Sequence, residues 1–197
     1  MKQLIITFLF IFSYTQAYAH KPVLNENSTY PADAPYEIEE PEISKAIYST
    51  LTGDPHYYRI QSDVDFDFYA GILAAKIGEC ALERMFSFEV LDSEFHNIDV
   101  ADGENFKWTP WYEEYGKQWY WNGPEIGKNF LSDRIYKAGT YYIKVFNSNN
   151  TGQYIMAVGD IEKFSFTDII GLIFSLGDIE DEFWDPNLCG LSLQESS

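Results

Sequence analysis

The residues best suited to chemistry in this sequence crowd together between 106 and 124, in the run FKWTPWYEEYGKQWYWNGP. It holds Trp108, Trp111, Trp119 and Trp121, four of the five tryptophans, with Tyr112 among them. Sugar rings present apolar C–H faces that lie against Trp or Tyr, while neighbouring polar groups hold the hydroxyls, so these five residues form a candidate carbohydrate platform. The competing assignment is a plug for an open end of the core, because large aromatic side chains more often fill interiors than bind ligands. Glu113 and Glu114 adjoin the tryptophans as glycosidase acids would. Successive residues on a helix point about 100° apart, so these two cannot by themselves flank one glycosidic bond.

Two metal chemistries are also written in the side chains. Asp63, Asp65 and Asp67 alternate along one stretch, and Asp99, Asp102 and Glu104 lie in a later polar one. Calcium takes six to eight oxygens at ~2.3 to 2.6 Å, whereas strand carboxylates two residues apart stand about 7 Å from each other, so a solvated strand face is the simpler assignment. Copper enters through processing. A cut after Ala19 would make His20 the first residue, and its amine and imidazole would chelate copper, with His56 or His96 as a third nitrogen ligand. That arrangement is similar to the copper centre of lytic polysaccharide monooxygenases, and it defines a competing function, a copper-dependent oxidative enzyme. Hydrolysis has no support: there is no Gly-x-Ser-x-Gly elbow, and the three histidines lie in separate contexts.

The element that must position these residues is the stretch 134–158, RIYKAGTYYIKVFNSNNTGQYIMAV. Tyr141, Ile143 and Val145 alternate with Thr140, Tyr142 and Lys144, the period of a half-buried strand. Asn147 to Gly152 reverse the chain, and Tyr154, Met156 and Val158 form an answering apolar row. The spacing predicts a hairpin, and its apolar face needs a second layer, hence a β-sandwich or barrel. The part AGTYYIKVFNSNNTGQYIMAV resembles the closing strands of bacterial pre-peptidase C-terminal (PPC) domains. The stretch 43–60, ISKAIYSTLTGDPHYYRI, resembles that family's opening strand pair joined by a Gly-Asp turn. The resemblance covers these two ends and implies a small secreted jelly-roll sandwich with an accessory or adhesive role.

The chain starts MKQLIITFLFIFSYTQAYA, with a basic residue, an apolar core and an Ala17-Tyr18-Ala19 cleavage site, so 1–19 is expected to be a signal peptide. No later stretch reaches the eighteen apolar residues of a membrane span. The expected location is periplasmic or extracellular. Acidic residues outnumber basic ones by 31 to 13, for a formal charge of −18, which opposes nucleic acid and anionic lipid as partners. The same charge also keeps an exported protein in solution. Cys80 and Cys189 are the two cysteines. Their pairing would close a loop worth ~4 to 5 kcal/mol in the chain-entropy view, and two buried free thiols fit the sequence equally well.

In chain order, 20–41 is an extended arm with Pro22, Pro31, Pro35 and Pro41, 42–164 the sandwich, and 165–197 a helix and acidic tail. The uniformly small apolar residues 71–75 predict a strand buried on both sides. Thr109 as cap and Pro110 as first residue predict a short helical turn in the aromatic segment. The fold expected is an all-β, jelly-roll-like antiparallel β-sandwich with a short aromatic helical turn and a C-terminal helix. The function expected is an exported, non-catalytic module that binds a ligand or partner, carbohydrate through the aromatic cluster, with a structural envelope protein as a further alternative.

Overall fold

The computed structural model describes residues 21–24, 29–82, 84–114, 116–163, 177 and 179–188. The signal peptide expected at 1–19, His20, the helix expected at 165–176 and Cys189 lie outside the described residues. The strands are β1 (Lys21–Leu24), β2 (Tyr36–Ile38), β3 (Lys45–Thr52), β4 (His56–Ser62), β5 (Phe66–Phe68), β6 (Ala70–Ala75) and β7 (Ser87–Leu91). They continue as β8 (Asn97–Ala101), β9 (Thr109–Glu113), β10 (Gln118–Ile126), β11 (Arg134–Tyr136), β12 (Gly139–Phe146) and β13 (Thr151–Val158). They build a mostly antiparallel β-sandwich. A six-stranded sheet runs β1-β3-β13-β6-β10-β9, a five-stranded sheet runs β2-β4-β12-β7-β8, and β5 pairs with β11. The parallel pairs are β1 with β3 and β2 with β4, so the proline-rich stretch expected as an arm lays one strand on each sheet.

The 134–158 stretch is not a hairpin. Its two long strands, β12 and β13, lie in opposite sheets, where β12 pairs with β4 and β7 while β13 pairs with β3 and β6. The 43–60 stretch behaves the same way, β3 joining one sheet and β4 the other. Both are arches that cross the core. The alternation survives because inward rows can meet across a core as readily as side by side. Ile143 and Val145 of β12 and Tyr154, Met156 and Val158 of β13 share one buried cluster with Ile47, Tyr58, Ile60, Phe86 and Phe88. Each such side chain contributes about 1.5–3 kcal/mol on burial. The arches are joined where they turn: Gly53 N–H donates to the carbonyl of Asn150 at 2.7 Å. Gly53 adopts φ +123° and Asn150 φ +50°, conformations open to Gly and Asn but strained for most residues.

A second apolar layer covers the outer face of the six-stranded sheet. Ile155 and Ala157 of β13 turn outward to meet Tyr48, Tyr69, Leu73 and Tyr120, and Ile179 and Phe183 close the cluster. Residues 179–183 are helical and Pro186–Leu188 make a 3-10 turn. β6 therefore has apolar neighbours on both sides, and five of its six residues are buried, as its small side chains predict. No helix among the described residues is long and apolar enough to cross a membrane.

Candidate functional site

The aromatic segment forms a true hairpin. Where Thr109 and Pro110 predict a helical turn, the chain runs as β9, paired with β10 so that Trp119 faces Tyr112, Tyr120 faces Trp111 and Trp121 faces Pro110. Thr, Trp and Tyr fit a pleated surface well, and Pro110 is tolerated because β9 is the edge of its sheet. The turn is held by the Glu113 carboxylate, which accepts the Gly116 N–H, and by Lys117 at φ +55°.

Alternation divides the five platform residues. Trp108, just before β9, is only 9% exposed and belongs to the central core. Its indole N–H donates to the Gly103 carbonyl at 2.9 Å, and its ring lies so close to Gly123 that a Cβ there would stand 2.4 Å from it. Trp108 is thus the plug. Trp111 turns to the outer layer, with ring centroids 5.6 Å from Tyr120 and 5.0 Å from Phe130. Tyr112, Trp119 and Trp121 take the other face. Tyr112 and Trp119 are 40% and 47% exposed, and their rings pair at 5.1 Å with planes tilted 49°. Trp121 is half-buried and packs against the core.

Two residues that the sequence pattern did not single out pack on the hairpin, one on each side. Lys76 extends the β6–β10 ladder, its N–H donating to the Trp119 carbonyl at 2.9 Å. Its ammonium lies 5.9 Å from the Trp119 ring and 5.7 Å from the Trp121 ring, a cation held against two π faces. The ammonium also donates to the Gly78 carbonyl. Trp184 braces the hairpin from the other side: its indole N–H donates to the same Trp119 carbonyl at 2.9 Å, and its ring meets Tyr120 edge-on at 5.0 Å. Beneath it the Tyr48 and Tyr120 hydroxyls bond at 2.9 Å. Burial pushes the Tyr48 phenol up to about 12 and raises that of Tyr120 too, so both keep their protons at neutral pH. The signal for Lys76 was only that it is the first charge after the apolar run 70–75.

Three of the six carboxylates considered for calcium, Asp65, Asp99 and Asp102, are engaged elsewhere. Asp65 accepts from Lys137 Nζ at 2.8 Å and the Ala138 N–H at 3.0 Å, and these bonds, Lys137 first, hold its carboxyl below the usual range. Asp99 accepts from Arg134 at 2.8 Å and from the Tyr136 hydroxyl at 2.5 Å. Asp102 caps its own turn through the N–H groups of Glu104 and Asn105 and the Asn105 side chain, whose bond leads in lowering its pKa. Among the described residues no three His, Cys, Asp or Glu side chains gather as a metal site. His56, a suggested third copper ligand, is 1% exposed in the core, with Nδ1 bonded to Ser49 at 3.1 Å and to the Tyr154 hydroxyl at 2.8 Å. Tyr154 bonds in turn to the Tyr58 hydroxyl at 2.6 Å, and burial raises both phenols. The network ties β3, β4 and β13 across the two sheets. His96 is exposed beside Asp92, and His20 lies outside the described residues.

No protein-family profile matches the sequence, and neither does any curated protein sequence. Among solved structures the chain is similar to the pre-peptidase C-terminal domain of a collagenase from Bacillus anthracis, at 11% identity and a TM-score of 0.38, over 67% of this chain and 97% of that one. It is also similar, at 9% identity and a TM-score of 0.28, to the catalytic domain of a GH87 alpha-1,3-glucanase in complex with tetrasaccharides, over 61% of this chain and 22% of that one. Both are remote similarities.

Proposed function

We propose that this protein is an exported, non-catalytic β-sandwich module that binds carbohydrate on the hairpin face made by Tyr112, Trp119 and Trp121. The observation that carries the reading is the Tyr112–Trp119 pair, two large rings left 40% and 47% exposed at the edge of the six-stranded sheet, 5.1 Å apart. Exposed rings of this size on a paired strand supply a preorganised apolar surface, and the C–H face of a pyranose is its natural complement. Trp108 and Trp111 hold the hairpin in place instead of touching the sugar. The amino-terminal leader supports export. In that oxidising setting we propose that Cys80, the one described cysteine and not a free thiol, pairs with Cys189. Thiol counting in denatured, unreduced protein should find no reactive thiol, and two would reject the pairing.

The test of the binding reading is a fluorescence titration of the mature protein with a panel of linear oligosaccharides, repeated on Trp119→Ala. A saturable change with at least one sugar is expected in the parent. Loss of the Trp119 ring should weaken that sugar by at least about tenfold, equivalent to about 1.4 kcal/mol. Saturation by none of the panel, or equal affinity in the variant, would reject the aromatic face as a sugar site.

A further inference from the structure

We infer that the carbohydrate taken by this face carries a carboxylate, a uronic or sialic acid unit set among neutral sugars, and that the Lys76 ammonium receives it. The inference rests on the aromatic face being the sugar site and names the class of sugar. Three observations lead to it. First, Lys76 Nζ sits over both Trp119 and Trp121, so a ring stacked on the Tyr112–Trp119 pair places its substituents within reach of a cation. Second, the ammonium has spare donors: its hydrogen-bond partner is the Gly78 carbonyl, one bond from a group with three N–H. Third, among the described residues no carboxylate pairs with Lys76, although the protein has 31 acidic residues against 13 basic ones. Several of its other cations are taken: Arg59 by Glu37, Arg134 by Asp99 and Asp133, Lys137 by Asp65, Lys144 by Glu89 and Lys163 by Glu40.

Charge at two ranges sets the kind of acid. The formal charge of −18 repels a polyanion as a whole, but at physiological salt charges beyond about 8 Å are screened, and the nearest group decides. Glu113, the carboxylate of the hairpin turn, is turned back onto the Gly116 N–H. An isolated carboxylate flanked by neutral sugars satisfies both ranges: it meets Lys76 without bringing a run of negative charge against an acidic protein. A bond from an ammonium to a carboxylate is also stronger than one to a neutral hydroxyl, which gives the site a basis for choosing.

The experiment is calorimetric titration of the full mature chain with glucuronyl-xylotriose, sialyllactose and a hyaluronan tetrasaccharide, each against its own carboxyl methyl ester. The ester keeps every stacking contact and removes the charge. At least one acid should bind about fivefold to tenfold tighter than its ester, less so at high salt. Lys76→Met, which keeps an apolar stem over the tryptophans, should bring acid and ester together, and Lys76→Arg should restore the preference. Circular dichroism melts confirm that the variants fold. Acid and ester binding alike in the parent protein, or a preference that persists in Lys76→Met, would overturn the inference while leaving sugar binding intact. Binding of neither form of any probe, with Trp119→Ala unchanged against the wider panel, would overturn the inference together with the sugar site beneath it.

Discussion

In the arches, Tyr58, Tyr154 and His56 are fully enclosed, and their polar tips answer one another within the core. On the β9–β10 hairpin, Tyr112 and Trp119 carry the same chemistry of an apolar body with a polar edge, and both stand in water. The difference comes from what lies opposite. The arch strands face each other across two sheets, whereas among the described residues no strand pairs with the outer edge of β9. Similar side chains therefore tie layers together in one place and stand exposed in the other. The hairpin can afford exposed rings because its opposite face is sealed by Trp111, Phe130 and Trp184.

That comparison breaks most visibly under truncation. Tyr154→Ala should lower stability by about 3–5 kcal/mol in urea melts, removing a buried ring and the hydrogen bonds that Tyr58 and His56 make to its hydroxyl. A loss below about 1 kcal/mol would show that the network does not bind the sheets together. Trp184→Ala is intermediate. It deletes the bond to the Trp119 carbonyl and part of the outer layer, and should destabilise by about 1–3 kcal/mol while weakening sugar binding through the loosened hairpin. Trp119→Ala should move stability by no more than about 1 kcal/mol, while weakening sugar binding at least about tenfold. An equally large stability loss at Trp119 and Tyr154 would erase the distinction between the two regions.

The smallest effect is in acid. Asp65, Asp92 and Asp102 all have carboxyl pKa values lowered in the folded protein by the hydrogen bonds they accept. A lowered folded value means the stabilisation is complete above the unfolded pKa, about 3.9, and is lost as pH falls through the folded one. Melting temperature should therefore drop below about pH 4, and Asp102→Asn should make that acid limb shallower. An unchanged limb would show that the Asp102 turn contributes nothing to acid sensitivity.

Alternation was readable from the sequence because it is imposed by burial: the rows Ile143, Val145 and Tyr154, Met156 point inward as their spacing predicts. Partnership was not, since an inward row satisfies the same pattern whether its complement lies beside it or across the core, and so two arches looked like two hairpins. The Thr109-Pro110 pair carried a helix-start signal that is overridden at a sheet edge, where a missing N–H goes unmissed. Of the five aromatic residues proposed as a platform, the strand period separates Trp111 from Tyr112, and only the fold shows Trp108 drawn inward over Gly123. Lys76 was invisible because its place over the tryptophans depends on the register of β6 against β10.

The arches bear on how the chain reaches its native state. Among the described residues, apart from β7 with β8 and β9 with β10, no two strands consecutive in sequence are hydrogen-bonded partners, and the chain changes sheet at nearly every connection. Neither sheet can assemble from a contiguous piece of polypeptide, so loop closure over long separations must precede most of the ladder. Such a molecule should fold slowly, and its two sheets should melt in a single cooperative event, not one after the other.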